Sequence, residues 1–137
     1  MNEINARTLE TINMALAELG ERPLTENAKF YKDTDFAMLM YVLDVDRAAP
    51  IRIVIEYGLE IQVGPYGDVL SYGPGDPSIQ EDVHRLLLST ILVDERPKTA
   101  RITLVDPDGT VWRRYRTRML WGKHDPNDLL DEYRPAF

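Results

Sequence analysis

Apolar positions along the chain switch between two periods, and the switches divide it into elements. Leu9, Ile12, Leu16 and Leu19 recur at steps of three and four, which places them on one face of a helix. Gly20 supplies the C-terminal stop, Pro23 discourages continuation, and Asn2 or Asn5 stands where a cap is needed. Residues 21–34 mix Pro, Asn, Asp and Lys without a period and read as loop. Phe36 to Val45 is apolar at both parities, the pattern of a strand covered on both faces. From Ile51 the odd positions stay apolar through Ile53, Ile55, Tyr57, Leu59, Ile61 and Val63, as in a strand with one buried face. Gly58 marks either a bulge or a tight turn between two strands. The parity continues across it, which favours one bent strand.

Pro65-Tyr66-Gly67-Asp68 is a turn sequence, and Val69 to Tyr72 reads as a short returning strand. Ser78-Ile79-Gln80-Glu81 matches a capping box and opens a second helix, with Ile79, Val83, Leu86, Leu87 and Ile91 as its apolar stripe. A break at Asp94-Glu95-Arg96-Pro97 leads to a hairpin. Its arms are Arg101 to Val105 and Thr110 to Arg118, joined by Asp106-Pro107-Asp108-Gly109. Asp125-Pro126-Asn127-Asp128 opens a short C-terminal helix contacted through Leu129, Leu130 and Tyr133. Strand–helix–strand alternation does not recur, so a doubly wound parallel sheet is excluded. The expectation is one α+β domain over residues 1–137, with a mostly antiparallel sheet of about five strands, two main helices and the short C-terminal one.

Composition narrows the class of protein. The chain has 137 residues and no cysteine, which removes disulfide scaffolds, thiolate zinc sites and cysteine nucleophiles together. Met1 to Asn5 carries no targeting pattern, and the longest apolar run, Phe36 to Leu43, spans eight residues. Crossing a bilayer takes about 20. These features suggest a cytoplasmic protein without a membrane partner.

Catalytic signatures are sparse. Neither G-x-S-x-G, H-E-x-x-H nor a phosphate-cradling P-loop occurs. Glu81 and His84 stand three apart on a helix, but a di-iron site needs a second such pair and further glutamates. Asp44-Val45-Asp46 is explained as a solvated strand end, and Asp106 to Gly109 as a turn, without a bound cation. No cofactor or metal is implied. An acid–base site assembled from Tyr115, His124 and nearby arginines is the enzymatic alternative.

Charge adds what the motifs lack. The total is −7, but residues 1–50 contribute −4, residues 51–97 −5 and residues 98–137 +2. Between Arg52 and Arg85 lie 32 residues without a single Lys or Arg. Glu56, Tyr66, Asp68, Tyr72, Asp76, Glu81 and Asp82 fall in that interval, together with Tyr57 and Glu60. Acids steer a basic partner and tyrosines anchor interfaces, so the first seven form the candidate partner-binding set. Glu81 and Asp82 also suit the N-terminal dipole of the second helix, which explains them without a partner. The C-terminal segment is opposite in character: Trp112, Arg114, Arg116 and Arg118 fall on one strand face, followed by Trp121 and His124. Basic residues interleaved with aromatics suit nucleic acid. The net charge and the split of arginines over two faces oppose it, and pairing with the chain's own carboxylates offers an internal explanation.

In size, acidity and α+β pattern, and in its lack of catalytic signatures, the chain resembles small immunity proteins that neutralise toxins. It is also similar to phage-encoded inhibitors. That resemblance implies a non-catalytic protein that occludes a basic, toxin-like or nuclease-like partner. A ligand-binding domain or small enzyme near Tyr115 and His124, a nucleic-acid regulator using Arg113 to Arg118, and a self-complementary homodimer are the alternatives.

Overall fold

A computed structural model describes residues 3–23, 30–33, 36–39, 51–63, 68–96, 98–118 and 132–135. Helix α1 covers Glu3–Glu18 and buries Leu9, Ile12 and Leu16, as the periodicity requires. It ends where Gly20 takes φ 73°, with Gly20 N–H donating to Ala17 and Glu21 N–H to Leu16. That pair of bonds is a Schellman stop, and only a residue without Cβ enters it freely. Asn5 does not cap the helix. It is fully buried on the inner face, and its Oδ1 accepts the Tyr57 N–H at 3.2 Å.

Strands β1 (Phe30–Asp33) and β2 (Phe36–Leu39) form an antiparallel pair, and β2 lies close to β3 (Ile51–Glu56). β1 falls in the stretch read as loop; its four residues carry too few apolar positions to display a period. Residues 40–45 of the expected strand lie outside the described residues, as does the Asp44–Asp46 pair.

Residues 51–63 are two strands and not one. β3 pairs with β4 (Gly58–Val63) in an antiparallel hairpin, with Ile55 opposite Leu59, Ile53 opposite Ile61 and Ile51 opposite Val63. The ladder is symmetric about Tyr57, an odd position. Odd residues therefore face odd residues across the turn, and the unbroken parity is what this hairpin must produce. β5 (Asp68–Tyr72) completes a three-stranded sheet in the order β3-β4-β5.

Helix α2 covers Ile79–Leu87 and stops before Ile91. Leu92 and Val93 follow Thr90 and Ile91, a β-branched run that starts β6 (Thr90–Arg96) instead of extending the helix. β7 (Thr99–Val105) and β8 (Val111–Arg118) form the expected hairpin, closed by the Gly109 N–H on the Asp106 carbonyl with Gly109 at φ 90°. β6 itself was hidden by the charged residues Asp94, Glu95 and Arg96 at its end. β9 (Glu132–Tyr133) pairs Tyr133 with Ile91, so Tyr133 is a strand residue here. The expected helix from Asp125 lies outside the described residues. The four-stranded sheet runs β8-β7-β6-β9.

The class is α+β, with antiparallel pairing in every described ladder. One continuous cluster of buried side chains joins both helices to the three- and four-stranded sheets, from Ile12 and Leu16 through Ile53, Leu59 and Val83 to Ile102 and Leu104. Among the described residues no helix is long and apolar enough to cross a membrane.

Candidate functional site

The acidic interval and the basic strand meet. Tyr72, at the end of β5, donates its hydroxyl to Asp82 Oδ2 at 2.7 Å, and Arg113 Nη2 of β8 lies 3.7 Å from the same oxygen. Burial, and then the hydrogen bond to a carboxylate, push the Tyr72 phenol well above its ordinary range. Asp82 is largely covered, its side chain 18% exposed. Tyr72 and Asp82 thus use their polar atoms inside the fold.

Asp76 has a structural task as well. Its Oδ1 accepts both the Ser78 N–H at 2.9 Å and the Ser78 hydroxyl at 2.6 Å, which holds the carboxyl below the usual range. The capping box is not formed: Ser78 has helical φ and ψ and makes no side-chain cap bond. An Asx turn centred on Asp76 replaces it, two residues earlier in the chain. Of the remaining predicted acids, Glu56 and Glu81 are exposed, on different elements. Tyr66 lies outside the described residues, and Asp68 is placed only as the first residue of β5.

A second cluster joins α2 to β8. Arg85 Nε donates to Asp106 Oδ1 at 2.9 Å, and its guanidinium carbon stands 4.9 Å from the centre of the Trp112 ring. Arg113 lies over the same ring at 5.6 Å. Trp112 Nε1 donates to Ser89 Oγ at 2.8 Å, and Ser89 in turn donates to the Arg85 carbonyl. Simple alternation would turn Trp112 outward beside Arg114. The ladder instead pairs Leu104 with Arg113 and Val105 with Val111, leaving Trp112 as the extra residue of a bulge. The bulge re-aims the indole towards the core. Trp112 and Arg113 are therefore withdrawn from the basic–aromatic surface.

Arg114 and Arg116 remain exposed, and Tyr115 packs half-buried against the core. Arg118 ends β8, while Trp121 and His124 lie outside the described residues. His84 stands 3.7 Å from Glu18 on α1, and both line one depression with Glu81. Among the described residues no group of three or more His, Asp or Glu could hold a metal ion.

Two residues outside the predicted set complete the exposed acidic surface. Tyr57, 56% exposed, sits where the β3–β4 hairpin reverses, with φ 59°. Glu60 follows on β4 and, with Glu56, Gly58 and Ser71, lines a depression of about 490 Å³. The odd-position alternation disguised Tyr57 as a core residue; Gly58 beside it was the available sign of a turn. No protein family matches the chain, and comparison with curated proteins and with solved structures yields no match either.

Proposed function

We propose that this protein is a non-catalytic binding module, an immunity- or inhibitor-like protein that occludes a partner with a basic surface. The contact centres on the β3–β4 hairpin, with Tyr57 as anchor and Glu56 and Glu60 as flanking charges. The observation that carries this reading is Tyr57 itself. An aromatic residue at positive φ costs energy that asparagine or glycine would avoid, and here the ring is left largely in solvent. Strain without compensating burial points to a role outside folding. Tyrosine offers a rigid contact surface, and the two carboxylates supply steering.

Affinity capture from native cell extract tests the reading, comparing the wild type with Glu56→Lys/Glu60→Lys and Tyr57→Ala. A basic protein held by the wild type, lost from both variants and released by moderate salt supports it. Stoichiometric inhibition of that protein would establish occlusion. Equal retention by all three proteins would eliminate the hairpin as the contact.

A further inference from the structure

The outward face of the β6–β7–β8 ladder concentrates guanidiniums. Ala100, Ile102 and Leu104 of β7 are buried, so alternation turns Thr99, Arg101, Thr103 and Val105 to the other side. Across the ladder Arg116 stands directly opposite Arg101, and Arg114 opposite Thr103. Arg101, Arg114 and Arg116 are exposed, and among the described residues none of them makes an ion pair. In the next row, Thr99 pairs with Arg118 on one side and Arg96 on the other.

Two explanations without a ligand fall short. β8 is an edge strand, and charges on an edge deter pairing with foreign strands. That accounts for Arg114 and Arg116, but not for Arg101 on the inner strand β7. Like charges placed directly opposite each other destabilise a sheet, so the Arg101–Arg116 pairing opposes the fold locally, while Asp94 on the other side of Arg101 offsets it. Internal neutralisation fails on number: the Arg101 row holds one described carboxylate, Asp94 on β6, against two guanidiniums.

The face also has room for a ligand. Arg101, Arg114 and Arg116 line a depression of about 510 Å³ with Thr103 and Tyr115. An adjoining hollow of about 290 Å³ shares Arg101 and Arg116 and adds Thr99. Small-molecule sites occupy roughly 300–1,000 Å³. Guanidiniums on neighbouring strands start about 5 Å apart, and those two residues apart on one strand about 7 Å. Forked donors at these intervals suit adjacent phosphoryl groups, and the threonine hydroxyls add further donors.

We propose that this face binds a compact ligand carrying two or more adjacent phosphoryl groups, the class of a nucleoside di- or triphosphate. A nucleic-acid strand fits less well. The net charge of −7 repels a long polyanion beyond the reach of the site. The nearby rings of Trp112 and Tyr115 pack against the core, so neither is presented for stacking on bases. The proposal stands apart from the hairpin reading and shares no residue with it.

Thermal unfolding of the full chain in millimolar tripolyphosphate, against chloride of equal ionic strength, is the test. The wild type should unfold several degrees higher with tripolyphosphate, because a ligand that binds only the folded state stabilises it. Arg101→Thr should lose that gain and bind the probe at least about tenfold more weakly by calorimetry, a loss of about 1.4 kcal/mol. Glu56→Lys should keep the full gain, which separates this site from the hairpin. No gain in the wild type, or a gain that Arg101→Thr retains, overturns the proposal. A single-stranded oligonucleotide binding more tightly than tripolyphosphate would overturn it in favour of nucleic acid.

Discussion

Tyr72 and Asp82, ten residues apart in the chain, meet at 2.7 Å between phenol and carboxylate, and this contact ties β5 to the first turn of α2. Arg113 of β8 approaches the same carboxylate oxygen, so one acid links elements from both sheets. Tyr72→Phe removes the donor and leaves the carboxylate one partner short. Because water reaches part of the site, we expect a loss of about 1.5 kcal/mol, the modest end for a bond to a charged acceptor. The pH dependence has a definite sign. The folded state raises the phenol above its unfolded value of about 10, so the contribution is complete below that pH and fades as pH rises beyond it. Urea unfolding at neutral and strongly alkaline pH should show the gap between wild type and Tyr72→Phe closing at the alkaline end.

Asp76, not the serine and glutamate of the apparent capping box, organises the start of α2. Asp76→Ala should lower the melting temperature clearly, while Glu81→Ala leaves it almost unchanged. The Asp76 carboxyl is held below its ordinary range by the Ser78 hydroxyl and N–H. Its contribution is therefore present above the usual carboxylate range and lost as pH falls through the depressed folded value. Melting curves from neutral to acid pH should show Asp76→Ala and wild type converging at the acid end. A larger loss for Glu81→Ala than for Asp76→Ala would restore the capping box.

Elements that bury a regular apolar pattern were legible in the sequence: α1, the strand character of residues 51–63, β5, and the β7–β8 hairpin with its Asp-Pro-Asp-Gly turn. Ambiguity arose where one pattern fits two geometries. The parity across Gly58 is shared by a bent strand and by a hairpin centred on an odd residue. The step from Leu87 to Ile91 fits a helical stripe, yet the chain enters a strand at Thr90. The acidic interval was legible as composition but not as a surface. Tyr72 and Asp82 lie in the acidic interval, and sequence spacing cannot reveal that folding brings them together; Asp76 is satisfied locally, by Ser78 two residues on. Arg101 escaped notice for the complementary reason. Its position opposite Arg116 exists only once the strands pair.

Gly58 faces the backbone of β5 at a distance that excludes any side chain. A Cβ placed there would lie 2.2 Å from the Tyr72 carbonyl oxygen. That oxygen belongs to the β4–β5 ladder, where Leu59 pairs with Tyr72, so no side-chain rotation relieves the clash. Gly58→Ala should cost about 3 kcal/mol or more, the upper range for overpacking. Urea unfolding should show a lower midpoint at an unchanged slope, the mark of altered stability without an altered folded state. A cost below about 0.5 kcal/mol, the range of neutral surface changes, would mean that the two strands separate there easily.

Tyr57 allows stability and binding to be separated in a single substitution. Its φ of 59° lies in the left-handed region, which a residue with a bulky side chain enters at a cost of about 1–2 kcal/mol. Asparagine tolerates that region better, and its shorter side chain leaves the bond from the residue 57 N–H to Asn5 Oδ1 available. The ring is mostly in solvent, so little burial is lost when it is removed. Tyr57→Asn should therefore raise stability by about 0.5–1 kcal/mol. If the hairpin is the contact surface, the same change should weaken partner binding by about 2 kcal/mol or more, as loss of an aromatic anchor does. Unfolding and binding measured on one preparation decide the matter. A variant both less stable and unimpaired in binding would mean that Tyr57 is held in place for the fold alone.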